Sequence, residues 1–218
     1  KGGVFMYRNI VFDMGNVLTK YSVSDYIRKY ITDKGIFSEE LFQIIKNEVC
    51  ASVEWIRMDR GTLTDKEAVA SICMRVPEQY FEIIEYFIRD FRMKPELNLP
   101  MEHLVQALKE AEYGLYLMSN TSHRFRKFCR NIAAIAYMDG IWISCEHGLL
   151  KPEKEAYLDF FAQFGLKPEE CLFIDDSAAN IEAAQNLGMQ GIVYHQDMNE
   201  LVRKLEGVVD LHNIQIMI

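Results

Sequence analysis

Five short runs of β-branched, aromatic and other apolar residues constrain this chain most: 10–12, 115–118, 141–145, 172–174 and 192–194. Each run is nearly continuous. A strand with one wet face alternates apolar and polar residues, whereas a run apolar at almost every position suits a strand covered on both faces, as in parallel sheets. Parallel neighbours need a crossover of a dozen or more residues, and helix-like segments of that length separate the last four runs. The pattern predicts an α/β protein with a doubly wound, Rossmann-like parallel sheet.

Between the first two runs the periodicity changes. Apolar residues recur at helical spacing through Tyr26, Ile27, Tyr30 and Ile31, then Leu41, Ile44, Ile45 and Val49, then Tyr80, Ile83, Ile84 and Phe87. No strand is predicted there. Thr64 with Glu67 carries the signature of a capping box, and Gly35 and Gly61 are placed to stop or turn helices. A helical subdomain over residues 21–94 is therefore inserted into a core made of 1–20 and 95–218, with the return starting at Lys94 and Pro95. Tyr26, Tyr30, Phe42, Trp55, Met58, Phe81, Tyr86 and Phe87 are better explained as its packing than as a substrate pocket.

With 218 residues, half of them hydrophobic, the chain can bury a full core. No run approaches the roughly 20 uninterrupted apolar residues of a membrane-spanning helix. The first six residues lack the apolar stretch of a signal peptide, so the expectation is a cytoplasmic protein with no membrane partner. Five scattered cysteines, never spaced as CxxC, predict free and mainly buried thiols rather than a disulfide framework or a thiolate metal site. A net charge of −8 without a Lys/Arg block argues against nucleic acid. Such a chain binds a phosphorylated small molecule only with the help of a cation, backbone N–H groups or a well-placed lysine.

Four segments offer those groups. Asp13 follows the first strand and precedes Met14-Gly15-Asn16, where its carboxylate can attack phosphorus or serve as a turn aspartate. Ser119-Asn120-Thr121 follows the second strand, as phosphate donors or as a helix cap. Lys151 is held extended by Pro152, which is also placed to open a helix through Tyr157 and Phe161 that Gly165 ends; most such lysines are simply solvated. Asp175 and Asp176 end the fourth strand, ahead of a helix from Ala178 that Gly188 closes. Two adjacent carboxylates there either cap that helix or hold a hard cation such as magnesium.

The order and spacing of these four segments resemble the motifs of the haloacid-dehalogenase-like hydrolase superfamily, most of whose members are phosphatases. The resemblance is most specific from Ser144-Cys145-Glu146-His147-Gly148-Leu149-Leu150 to Lys151-Pro152-Glu153, and from Phe173-Ile174-Asp175-Asp176 to Ala184. It identifies the helical insertion, including residues 55–61, with that family's cap. The resemblance implies that Asp13 is the nucleophile, becoming an aspartyl phosphate that water hydrolyses. It places Ser119, Asn120 and Lys151 around the transferred phosphoryl group, although Asn120 and Asn180 are better read as orienting their loops. Magnesium is implied at Asp13, the carbonyl of Gly15 and Asp176, with Asp175 reaching it directly or through water.

One position departs from the pattern. Two residues after the nucleophile, where the family's phosphatases carry an aspartate as general acid and base, this chain has Gly15. Proton transfer of that kind contributes roughly 10²- to 10⁴-fold in rate. His123, Glu146 and His147 are the nearby substitutes, and a good leaving group needs less help. The segment Phe12-Asp13-Met14-Gly15-Asn16-Val17-Leu18 nevertheless resembles a variant found in bacterial sugar-phosphate phosphatases acting on glucose 1-phosphate. The expectation is a magnesium-dependent phosphatase of a small phosphorylated metabolite. A catalytically weak or dead relative that binds a phosphorylated ligand or partner protein is the alternative Gly15 keeps open. A haloacid dehalogenase, which attacks carbon without a metal, is disfavoured by the paired acids.

Overall fold

A computed structural model describes residues 7–91, 95–206 and 208–209. The first six residues, where no signal peptide was expected, and Lys94 at the expected return to the core lie outside the described residues. The sheet is five-stranded and all parallel, built from β1 (Asn9–Phe12), β4 (Gly114–Ser119), β5 (Gly140–Ile143), β6 (Cys171–Asp175) and β7 (Gln190–Val193) in the order β5-β4-β1-β6-β7. A two-residue antiparallel pair, β2 (Thr19–Lys20) with β3 (Glu96–Leu97), lies outside it.

The apolar runs are continuous because both faces are covered. Ile10, Phe12, Leu115, Leu117, Leu172 and Ile174 face one core with α6 (Leu99–Glu110) and α11 (Met198–Leu205). Val11, Met118 and Phe173 face another with α9 (Lys154–Phe164) and α10 (Ala178–Gln185). The third apolar run ends sooner than its composition predicts. Ser144 and Cys145 leave the strand and open the short helix α8 (Ser144–His147), where the Ser144 hydroxyl lies 2.5 Å from the Asp59 carbonyl and 3.2 Å from the Thr121 carbonyl. Tyr194 likewise falls just past β7, and α9 begins at Lys154, with Glu153 rather than Pro152 before it. Gly165 ends α9 in the left-handed conformation.

Between β2 and β3 lie α1 (Val23–Asp33), α2 (Glu39–Ile44) with a π-helical continuation to Cys50, α3 (Val53–Asp59), α4 (Asp65–Cys73) and α5 (Phe81–Asp90). Their starts are written in the sequence: Ser22, Ser38, Ser52 and Thr64 each accept a backbone N–H of the first turn, and Thr64 and Glu67 complete a capping box. These helices bury a separate core of Ile27, Ile31, Leu41, Ile45, Ile84, Phe87 and neighbours. Among the described residues, no helix is long and apolar enough to cross a membrane.

The connectivity determines where a ligand can sit. From β1 the chain moves outward through β4 to β5, then returns to the other side of β1 for β6 and β7. Loops leaving β4 and β6 therefore diverge beside β1, opening a crevice at the carboxyl ends of the strands, the usual ligand site of open α/β sheets.

Candidate active site

Register brings the predicted residues to that crevice. Phe12 pairs with Leu117 on one side and Ile174 on the other, so Asp13, Ser119 and Asp175 emerge at neighbouring strand ends. Lys151 arrives from the loop after α8. Its side chain is 1% exposed, and its ammonium donates to Asp13 Oδ1 at 2.8 Å, Asp175 Oδ2 at 2.7 Å and the Met118 carbonyl at 2.8 Å. All three N–H groups thus reach protein acceptors. Although burial disfavours its charge, the carboxylates of Asp13 and Asp175 outweigh that and hold the lysine above its ordinary pKa. Burial pushes the Asp13 carboxyl up, against the pull of Lys151, and the Asp175 charge adds to the rise.

The two members of the acidic pair have different surroundings. Asp175 is fully buried, and besides Lys151 its oxygens accept from Ser177 N at 2.8 Å and from Asn180 Nδ2 at 3.0 Å. Asp176 is exposed and accepts from Asn16 Nδ2 at 2.8 Å. Asp13, Asp175 and Asp176 each offer an oxygen such that all three lie within 4.8 Å of one another. Three carboxylates against one ammonium leave two negative charges, which a divalent cation balances. Hard oxygen donors alone make the set suited to magnesium. The Gly15 backbone lies on the same wall.

Asn120, expected on the phosphate, turns its side-chain amide elsewhere. Its Nδ2 donates to the Lys151 carbonyl at 2.8 Å and its Oδ1 accepts the Lys151 N–H at 2.9 Å, so the amide fixes the lysine's backbone. Asn180 instead fixes a side chain, its Nδ2 donating to both carboxylate oxygens of Asp175. Ser119 is buried at the cavity wall. The three substitutes for the missing acid are engaged elsewhere and none lines the cavity. Glu146 pairs with Arg126 at 2.7 Å, His147 stacks on Trp142 and meets Asp159 at 2.7 Å, and His123 lies 3.5 Å from the Cys145 sulfur. Glu146 and His147 belong to α8. Burial pushes the Cys50, Cys145 and Cys171 thiols up to about 12, outside the range of reactive cysteines.

The cavity measures about 250 Å³ and includes residues not assigned to it from the sequence, among them Trp55, which was expected to serve packing rather than a pocket. Asn16, at φ 57°, links Asp176 to the N–H of Tyr21, which its Oδ1 accepts at 3.0 Å. Asparagine tolerates that left-handed conformation better than most residues. Tyr21, Trp55, Asp59 and Phe91 close the space from the helical side, and Arg124 and Phe128 from the sheet side. Only Asn16 had a local signal, its place in the loop after the nucleophile; Asp59 and Arg124 carry none.

A model of the family described as haloacid dehalogenase-like hydrolase matches residues 7–188. This chain belongs to that family. Among relatives, it is 26% identical over 188 residues to a sesquiterpene phosphatase from Aspergillus oryzae, covering 85% of this chain and 89% of that protein. It is 24% identical over 154 residues to flavin mononucleotide hydrolase 1 from Arabidopsis thaliana, covering 71% of this chain and 61% of that one. This chain thus spans less than two thirds of the length of the plant protein and of some other relatives. A family enzyme from Bacteroides thetaiotaomicron, solved with magnesium and inorganic phosphate, superposes with a TM-score of 0.66 at 22% identity over 89% of this chain and 98% of that one. That likeness establishes the shared fold.

Proposed function

We propose that this hydrolase is a magnesium-dependent phosphatase of a small phosphorylated metabolite, with a sugar phosphate as one candidate, and that it works through an aspartyl phosphate on Asp13. The convergence of Asp13, Asp175 and Asp176 within 4.8 Å, around the buried Lys151 ammonium, is the observation that carries this reading. The named activities of the fungal and plant relatives and the magnesium and phosphate bound by the Bacteroides enzyme point the same way.

In the first step an Asp13 oxygen forms a bond to phosphorus as the bond to the leaving oxygen breaks. In the second, water attacks that phosphorus, releasing phosphate and restoring the carboxylate. Asp13, Asp176 and the Gly15 carbonyl are the groups that would hold magnesium, which when bound supplies charge neutralisation to the phosphoryl oxygens. Lys151, with its donors already committed, acts on the phosphate as a fixed positive charge and keeps Asp13 aimed. Ser119 offers its hydroxyl to a phosphoryl oxygen, and Asp175 locks Lys151 in place. Gly15 cannot donate a proton. Among the described residues, Asp59 is the carboxyl that lines the cavity outside the acidic cluster, so we assign it leaving-group protonation. The insertion over residues 21–94 acts as the cap that closes on the leaving group. The free thiols fit a reducing, cytoplasmic setting.

The test is phosphate release from a panel of sugar phosphates and 4-nitrophenyl phosphate, with magnesium or with chelator, by the native chain and by Asp13→Asn. Turnover that needs magnesium and vanishes with the substitution is expected. Turnover that survives either loss contradicts the mechanism, and inactivity of both proteins across the panel moves the reading to a ligand-binding relative.

A further inference from the structure

Arg124 lines the cavity as a second cation beside Lys151, and the phosphoryl chemistry leaves it unused. It sits just before the short helix α7 (Phe125–Phe128), is 3% exposed, and reaches across to the helical insertion. Its Nη1 donates to Asp65 Oδ1 at 2.5 Å and approaches the Met58 sulfur at 3.4 Å. Among the described residues Nη2 donates to nothing, and Nε is buried with no partner at all. The uncommitted donors are therefore the Nε and Nη2 edge, the side-on fork whose two parallel N–H groups match the two oxygens of a carboxylate. A buried guanidinium with that edge unmatched is unusual, since buried polar groups nearly always find partners. Asp65 does not complete it, being 42% exposed and occupied with the opposite edge.

The surroundings specify what would carry the missing oxygens. The guanidinium carbon lies 5.1 Å from the centre of the Trp55 ring. Trp55 meets Phe91 edge to face at 4.6 Å, and Phe91 meets Tyr21 at 5.9 Å. These three rings line the same cavity as Asp13. They form an apolar wall suited to a flat or ring-shaped body, with one cationic fork beside it. Resting on the phosphatase reading of this site, we infer that the leaving group is a ring-bearing hydroxy acid: the ring lies on the aromatic wall and its carboxylate docks on Arg124, which thereby determines specificity.

The experiment compares 4-carboxyphenyl phosphate with phenyl phosphate, which share a ring and differ in the carboxylate. The native chain should favour the carboxylated ester in kcat/KM. Arg124→Met should lower the ratio of the two kcat/KM values by about ten- to a hundredfold, the scale of one charge-assisted hydrogen-bonded contact. Arg124→Lys, which keeps a cation against the cap but lacks the fork, should lower the ratio too. A ratio unchanged in both variants overturns the inference and leaves Arg124 as a strut between insertion and sheet. Calorimetric binding of the same two esters to the Asp13→Asn chain separates this from failure of the phosphatase reading. If neither ester is hydrolysed, tighter binding of the carboxylated one that Arg124→Met removes still upholds the subsite, and equal binding sinks it.

Discussion

At the scale of single residues, the site is organised by what each polar atom already touches. Lys151 gives all three of its N–H groups to Asp13, Asp175 and Met118, and Asn120 and Asn180 fix that lysine and its buried partner. Asp59 has a different setting, on the cavity wall contributed by α3, where Gly15 leaves the leaving group without an acid. A proton donor matters in proportion to the basicity of the oxygen it serves. Asp59→Asn should therefore slow hydrolysis of an alkyl phosphate by about 10²-fold while changing 4-nitrophenyl phosphate turnover far less. Steady-state rates on the two esters decide it: equal slowing of both would remove Asp59 from proton transfer and make it a shaping residue.

At the scale of elements, the insertion is joined to the sheet domain by a dense seam. Arg60 pairs with Glu153 and donates to the Gly148 carbonyl at 3.1 Å, while Ser144 Oγ donates to the Asp59 carbonyl at 2.5 Å. Gly61 allows the closest approach: at φ 78°, a Cβ there would lie 2.1 Å from the Cys145 carbonyl oxygen. Gly148 has nearly the same φ, 72°, with nothing within 4 Å of its would-be Cβ. Gly148→Ala should cost about 1–3 kcal/mol from backbone conformation alone, and Gly61→Ala clearly more because the seam must open. Urea unfolding of the two variants tests this, and equal losses would mean that the contact contributes nothing. Within the insertion, Arg75 binds Glu54 at 2.8 and 2.9 Å, and Ser71 binds it at 2.6 Å. The Arg75 hydrogen bonds, outweighing the upward push of burial, and Ser71 hold the Glu54 carboxyl down at about 2. A folded pKa below the unfolded value stabilises above the unfolded pKa and loses that contribution as pH falls through the folded one. Glu54→Gln should therefore cost on the order of 2 kcal/mol at neutral pH, discounted because Arg75 is 36% exposed, and the difference from the native chain should shrink below about pH 4.5. A difference independent of pH would assign the effect to packing.

At the scale of the whole molecule, what was legible in the sequence is what local physics writes there. Continuous apolar runs report burial on both faces, serine and threonine caps report helix starts, and strand-end carboxylates report the crevice. These signals were enough for the parallel sheet, for helices between its first two strands, and for Asp13, Asp175 and Asp176 at strand ends, whereas Lys151, locally an ordinary lysine, was placed beside them only by the family resemblance. Partners that meet only through tertiary docking left no such trace. Asp59 and Arg124 are ordinary charged residues in sequence, and only the seam between insertion and sheet brings them to one cavity. For the same reason Glu146 and His147 looked available, although Arg126, Trp142 and Asp159 occupy them. The same tertiary arrangement aims Asp13 at the cavity, and the account rests on its covalent role. The most direct measurement is an acid quench during turnover, with magnesium and a hydrolysed ester, followed by mass spectrometry of the peptides. The account predicts a phosphoryl group on the peptide containing Asp13, absent with chelator and absent in Asp13→Asn. Steady turnover with that peptide unmodified at every quench time, or with the phosphoryl group on another residue, would contradict it.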